Sequence, residues 1–457
     1  MSAAAVDPLR DPRGFLEQHA PWLLEPALGV CVVGSAALAE ACRRAGLPGP
    51  AVADLDLSWM LDDTQGEERL RRHDVFVPTT TANRARGTVA GKLGGHRIEI
   101  TTLRNGKPSA VIADRIDADL RARDMTVGAL AWWLGEDRIC DPCGGLEDWR
   151  ERRVVPVGDP AARIGEHPVR WLRYYRRAHQ WSFTLATSVR KLPADPERLR
   201  RIPPEALAAE VRAVLHQCAS PGRWLMELYE AGLLQTLMPE VAPQFDGRPA
   251  GPIRHHPEIG QALHLVLALE WVASRTTGLA AGERVAVGLA VLCHDLGKGL
   301  TLAADLPSHH GHEEAGAPLI ETLLARLPGL ADSATKRLAL AVCQLHQVVR
   351  RADELRPATL VDLYDRWFRA ADFPVELFAM AVGADSGGRL GLEAAGDAVR
   401  RDVAALLHWL RSSCASVDAA TLRQRFPDDT AAFKSALRQA RATAVVTRRD
   451  RPPASAE

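Results

Sequence analysis

The chain has 457 residues, 47% hydrophobic and 25% charged, which excludes a disordered chain and suits about two to four folded domains. Lys+Arg and Asp+Glu both number 57, so any contact with nucleic acid must come from a local basic patch rather than a global basic coat. No apolar run reaches the ~18 residues of a membrane span. The opening MSAAAVDPLRDPRGF has no basic start ahead of an apolar stretch, and the eight cysteines are scattered, so a cytoplasmic protein without disulfides or membrane contact is expected.

Residues 30–34 (VCVVG) followed by SAALAEACRRAG read as strand, turn and helix. The turn residues Gly34 and Ser35 would leave backbone N–H groups free to hold a phosphate. Residues 51–60 (AVADLDLSWM) alternate and predict a strand. A period of two would put Asp54 and Asp56 on one face, where two close carboxylates repel unless cations sit between them. GTVAGKL and HRIEITTLR predict a hairpin around Gly94-Gly95 and place Glu99 as a third acidic ligand. MTVGALAWWLG (125–135) reads as a helix. Cys140 and Cys143 form a C-x-x-C with no second pair, too little for a zinc site.

From about residue 165 helical periodicity dominates. Residues 163–201 hold ten Arg or Lys against three acidic residues. Arg173, Arg176 and Arg177 share a helical face, and the interleaved Tyr174, Tyr175 and Trp181 are candidates to stack on unpaired bases. The Pro- and Gly-bearing stretch 239–257 is the main boundary expected within the helical part, and the tail 448–457 (RRDRPPASAE) is expected to be disordered. Eight of the fifteen histidines fall within residues 255–346. His264 lies on an apolar helical face, His294-Asp295 ends the apolar run VLCHDLGKG, LPSHHGHEEAG carries His309, His310 and His312, and His346 and Asp385 follow. Mixed His/Asp sets of this kind suit a divalent metal. Lys298 either offsets phosphate charge or belongs to a helix cap.

Further motifs tie these pieces together. Residues 122–129 read ARDMTVGA, residues 141–148 read DPCGGLED, and residues 166–173 read EHPVRWLR. In this order the chain resembles the bacterial tRNA nucleotidyltransferases of the poly(A) polymerase class, the CCA-adding enzymes that carry a C-terminal HD domain, from about residue 30 to about 395. D-P-x-G-G-x-x-D is matched in full by Asp141, Pro142, Gly144, Gly145 and Asp148. The resemblance implies an α/β nucleotidyltransferase head of the polymerase-beta type (1–155), a helical neck and body (156–250), an all-α HD domain (251–400) and a helical C-terminal region (401–457). It implies addition of CCA to tRNA 3′ ends from CTP and ATP, with Mg²⁺ held by Asp54 and Asp56 and with Glu99 in support. Arg123, Asp124, His167, Arg170 and Arg173 fall on nucleotide-binding motifs, Asp124 and Asp141 as hydrogen-bonding partners. For the HD domain it implies a metal-dependent phosphatase and 2′,3′-cyclic phosphodiesterase. Its ligands would be His264, His294, Asp295 and Asp385, with His310 and His346 for a second ion, and the metal could be Ni²⁺, Mn²⁺, Co²⁺ or Mg²⁺. No protein partner is implied.

The chain departs from the family at defined points. The usual Gly-Gly-x-Val-Arg-Asp turn is Gly34-Ser35-Ala36-Ala37-Leu38-Ala39, Ala122 and Gly128 replace an Arg and an Asn, and His167 stands where a template Asp is usual. A carboxylate accepts from an exocyclic amine, whereas neutral imidazole offers one donor and one acceptor. Triphosphate grip and base choice therefore stay open. So do a small-molecule or different RNA acceptor, and a chain that retains only the HD activity.

Overall fold

The structure is a computed structural model that describes residues 6–103 and 111–447. Arg104 and the tail 448–457 lie outside the described residues. The chain forms two compact units, Met1–Leu192 and Pro193–Glu457. The segment 156–250 contributes the helices Pro160–Glu166 and Val169–Trp181 to the first and Pro204–Gln217 and Pro221–Glu230 to the second. The stretch 239–257 lies inside the second unit, not between the two.

The first unit is built on a seven-stranded mixed sheet. Its strands are β1 (Cys31–Val33), β2 (Asp56–Trp59), β3 (Phe76–Val77), β4 (Thr88–Leu93), β5 (His96–Thr102), β6 (Ala131–Trp133) and β7 (Arg138–Cys140), in the order β3-β4-β5-β2-β1-β6-β7. β2 and β5 run parallel, and every other pair is antiparallel. β4 and β5 form the expected hairpin.

Two sequence expectations fail here. The strand expected over 51–60 starts only at Asp56, so Asp54 precedes it rather than sharing its pleat. The expected helix 125–135 is a 3₁₀ turn, Thr126–Gly128, followed by β6. The reason is burial on both faces. Trp132 packs with Val32, Leu57 and Ile100, while Ala131 and Trp133 pack on the other side with Cys31, Val33 and Ile116. A strand buried on both faces is a continuous apolar run, which in sequence looks like a buried helix.

The sheet is asymmetric in a way that makes a site. Leu57, Trp59, Ile98 and Ile100 face the larger apolar cluster. Alternation therefore sends Asp56, Ser58, Glu99 and Thr101 to the opposite face. The apolar cluster on that face includes residues of β1, β6 and β7 but none of β2 or β5.

The second unit is helical throughout. Gln261–Arg275 packs on Val375–Gly387, and Ala281–Cys293 packs on both Ser333–Arg350 and Val375–Gly387. The C-terminal helices Glu393–Ala415, Ala419–Gln424 and Thr430–Thr447 complete it. Among the described residues no helix is long and apolar enough to cross a membrane.

Candidate active sites

In the first unit, β1 ends at Val33 and the helix Gly34–Arg44 begins at once, with no side chain capping its N-terminus. Its first-turn amides are thus open to an anion. Gly34 has φ +69°, and a β-carbon there would stand 3.3 Å from Asp56 Oδ2. The turn that presents the amides therefore also sits against the first strand carboxylate, and a side chain there would be strained as well as crowded.

Asp56 pairs in register with Glu99 across the parallel β2–β5 ladder. Burial raises the Asp56 carboxyl above its ordinary range, the charges of Asp54 and Glu99 push it further, and Arg123 opposes them. The structure thus brings Asp54, Asp56 and Glu99 into one electrostatic field. Their clustered negative charge, against a turn of free amides, suits a divalent ion and a polyphosphate. Glu99 has two partners that the sequence did not reveal. Asn83 Nδ2 donates to both its carboxylate oxygens at 3.1 Å, and Arg97 lies 3.3 Å away.

The remaining motif residues are largely scaffolding. Asp124 Oδ2 pairs with Arg173 at 2.7 Å, and its carbonyl accepts from Tyr174 Oη at 2.9 Å. These bonds tie the Arg123 segment to the helix Val169–Trp181. Arg123 contacts Asp119 at 3.3 Å. Asp141 accepts from the amides of Gly145 and Leu146, and Asp148 bonds Thr126 Oγ1 at 2.7 Å and Arg153. Arg170 is held by Glu166 and by the Arg163 carbonyl, whereas His167 is exposed at the end of the helix Pro160–Glu166. Tyr174 and Tyr175 are buried, so neither is available to stack on a base. Trp181 is only half-buried, against Trp149 and Phe183. The tyrosines were misread because one helix face looks the same in sequence whether it meets solvent or core.

The second unit holds a buried cluster of histidines and carboxylates. His264, His294 and Asp385 form one group of convergent ligand atoms, and Asp295, His312 and His346 form another. His264 Nε2 lies 3.3 Å from Asp385 Oδ1, and His312 Nε2 lies 3.2 Å from Asp295 Oδ1. The sequence expectation that His310 serves this site is not met: His310 is exposed and His312 takes the place. Gly311 adopts a left-handed conformation and His312 opens the next helix, which turns its ring inward.

The ring nitrogens have their roles fixed by the fold. The Nδ1 atoms of His294, His312 and His346 lie 2.6, 2.7 and 3.0 Å from the carbonyls of Val291, His309 and Val342. His264 Nδ1 faces Glu258 Oε1 at 3.1 Å, and Glu258 also accepts from His256 Nδ1 at 2.7 Å. A carbonyl can only accept, so Nδ1 carries the hydrogen and Nε2 keeps its lone pair for the cluster.

This arrangement fits a cation. The Nε2 atoms of His264 and His294 lie 3.4 Å apart, a repulsive meeting of lone pairs unless positive charge sits between them. Asp295 Oδ1 and His312 Nε2 are buried without a hydrogen-bond partner. Burial opposes protonation of His264 and His312, yet Asp385 and Asp295 respectively raise both above the ordinary imidazole range. Burial, helped by the neighbouring His294 and His312 and opposed by Asp385 and Asp295, pushes His346 down to about 4. Asp295 and Asp385 stay ionised against burial through His294 and Lys298 for the first and Arg389 for the second. Lys298 Nζ is itself buried, 2.7 Å from Asp295 Oδ2 and 2.8 Å from the Ala250 carbonyl. Sequence reasoning missed His256, Glu258, Gln261, Arg350 and Arg389 around this cluster. Only the histidine-rich count offered a signal, and only for His256.

Residues 42–155 match the family model for the poly A polymerase head domain. The protein named "Multifunctional CCA protein" from Methylococcus capsulatus is 35% identical over 343 residues, covering 72% of this chain and 75% of that one. Its namesake from Tolumonas auensis is 38% identical over 258 residues, covering 55% of this chain and 59% of its own length. The chain thus spans under two thirds of the latter relative. The Bacillus stearothermophilus CCA-adding enzyme, solved in complex with CTP, shares the fold with a TM-score of 0.58 at 20% identity, over 98% of this chain and 95% of that one. A CCA-adding enzyme solved with ATP gives a TM-score of 0.60 at 15% identity, over 98% and 94%.

Proposed function

The chain belongs to the family of multifunctional CCA proteins, and from that premise we propose a two-centre enzyme: a nucleotidyltransferase that completes tRNA 3′ ends from CTP and ATP, and an HD-type phosphohydrolase. In this reading residues 1–155 are the head, 156–250 the neck and body, 251–400 the HD domain and 401–457 a helical C-terminal region.

The observation that carries the first activity is the register of Asp56 against Glu99, beside Asp54 and the open amides after Gly34. Mg²⁺ held by Asp54, Asp56 and Glu99 would neutralise the triphosphate and acidify the terminal 3′-hydroxyl. The Gly34 and Ser35 turn holds phosphate oxygens, and Arg123 adds a positive charge beside the carboxylates. His167 and Arg170 read the base edge, while Asp124 fixes Arg173 and with it the helix Val169–Trp181 that carries Arg170. Leu38, where the family has an arginine, is buried and gives the phosphates no charge. That difference is what favours the second reading, nucleotidyl transfer to another RNA or a small molecule.

For the second activity, His264, His294, Asp295 and Asp385 would hold one divalent ion, and Asp295, His312 and His346 a second. The ion supplies Lewis acidity toward a phosphate ester. Mixed nitrogen and oxygen donors accept Ni²⁺, Mn²⁺, Co²⁺ or Mg²⁺.

The test is incorporation of labelled CTP and ATP, separately and together, into tRNA ending before CCA, tRNA ending in CC, and no RNA. Two C residues followed by one A uphold the reading. Transfer only to another acceptor moves the chain to the second reading. No transfer at all, with phosphoester hydrolysis intact, leaves the HD activity alone.

A further inference from the structure

Two arginines stand at the rim of the buried cluster and neither is explained by ligand placement. Arg350 lies one turn after His346 on the same helix face, and Arg389 lies four residues after Asp385, just past the end of the helix Val375–Gly387. Both converge on the same atom. Arg350 Nη1 donates to Asp385 Oδ2 at 3.1 Å, and Arg389 Nη2 lies 3.6 Å from it. That oxygen is the partner of Oδ1, which faces His264. Arg350 and Arg389 are 25% and 14% exposed at the side chain, so both border solvent without being free in it.

Two guanidinium groups are more than one carboxylate oxygen requires. Each carries five N–H donors. Arg389 makes no side-chain hydrogen bond among the described residues, and its Nε is buried without a partner. Lys298, by contrast, is already committed to Asp295 and to the Ala250 carbonyl. The charges also count. Glu258, Asp295, Asp385 and Glu313, the last 3.3 Å from His312, face Lys298, Arg350 and Arg389, so the two divalent ions proposed above leave the site three positive charges in excess. A phosphomonoester dianion cancels two of those charges, and a cyclic or linear diester cancels one. Geometry acts in the same direction. A monoester with one terminal oxygen turned to the ligand cluster keeps two for a guanidinium fork, whereas a diester keeps one.

We propose that Arg350 and Arg389 form a phosphate clamp that makes this centre select phosphomonoester dianions over phosphodiesters. The proposal rests on the hydrolase reading above and adds a substrate class and two binding residues to it.

The experiment uses the full chain, loaded with Mn²⁺, as wild type, R350Q, R389Q and R389K. Three quantities are read: the Kd of inorganic phosphate by calorimetry, KM and kcat for p-nitrophenyl phosphate and its bis ester, and bound metal by atomic absorption. Loss of one charge-assisted fork should weaken phosphate binding and raise the monoester KM by about tenfold in each Gln variant. The bis-ester KM should rise several-fold less, R389K should recover part of the loss, and bound metal should stay unchanged. An equal loss on both esters overturns the clamp, as does loss of metal, which would make the arginines mere supports of Asp385. A wild-type chain that hydrolyses neither ester refutes the hydrolase reading instead. Phosphate binding then still decides the clamp: weakening in R389Q upholds it, and no change overturns it.

Discussion

Gly297 lies so close to His312 that a β-carbon on Gly297 would overlap the carbonyl oxygen of His312. This approach lets the turn after Asp295 meet the start of the helix His312–Arg326, and so brings His312 within 3.2 Å of Asp295. Gly297→Ala should force the two segments apart and destabilise the second unit by about 3 kcal/mol, at the upper end of ordinary overpacking. Thermal melting and phosphoester hydrolysis should both decline, while CTP incorporation survives at temperatures below the melt. Gly278→Ala, where a β-carbon would meet nothing within 4 Å, is the control and should change neither.

The two neighbouring histidines should behave oppositely. His312→Ala removes a ring from the buried group, whereas His310→Ala alters an exposed side chain. We expect phosphatase activity to fall by about a hundredfold or more for His312→Ala, as for loss of a ligand or its orienting partner, and to remain at wild-type level for His310→Ala. Equal effects would remove His312 from the site.

The carboxylates of the first unit should rank by their surroundings. Asp56 sits beside the Gly34 turn, and its isosteric replacement Asp56→Asn should lower nucleotide incorporation by about a thousandfold. Glu99 shares its charge with Asn83 and Arg97. Glu99→Gln should therefore cost less, about ten- to a hundredfold, visible in single-turnover assays. A larger loss for Glu99→Gln than for Asp56→Asn would invert the assignment.

Tyr174 is predicted to support the fold and not the RNA. Its hydroxyl donates to the Asp124 carbonyl from a fully buried position. Tyr174→Phe leaves that carbonyl to the Val157 amide and should cost about 1 kcal/mol of stability, seen as a lower melting temperature. Retention of tRNA on a filter should not change.

Chelation tests the second unit directly. An ion that binds only the folded state stabilises it by about 2.7 kcal/mol at a concentration of 100 times its Kd. EDTA should therefore lower the melting temperature of the wild type, and the shift should disappear in Asp295→Asn. A shift of equal size in that variant would place the ion elsewhere.

What the sequence revealed depended on how local each signal was. Asp56, His294-Asp295 and the D-P-x-G-G-x-x-D run are short, and their chemistry and spacing are visible within a few residues. The Gly34 turn was legible because a strand, a glycine and a helix follow one another directly. Direction was not legible. The string LPSHHGHEEAG shows three histidines, but only the left-handed Gly311 decides which ring turns inward. The β6 strand was hidden because Trp132 and Trp133 are buried on opposite faces, which removes the alternation that marks a strand. Glu258 reaches the cluster from a loop with no local pattern, and the four-residue spacing of Arg350 from His346 and of Arg389 from Asp385 is too common to single either arginine out.

The carbonyls that hold the Nδ1 atoms of His294, His312 and His346 belong to Val291, His309 and Val342, and every one is main chain. No side-chain substitution can delete such a partner. The donor strength of His294 and His346 is therefore insulated from point mutation in a way that His264, oriented by the Glu258 side chain, and His312, 3.3 Å from the Glu313 carboxylate, are not. Drift or design that retunes this cluster has two imidazoles it can adjust through a neighbouring carboxylate, and two whose basicity changes only when the backbone is rebuilt.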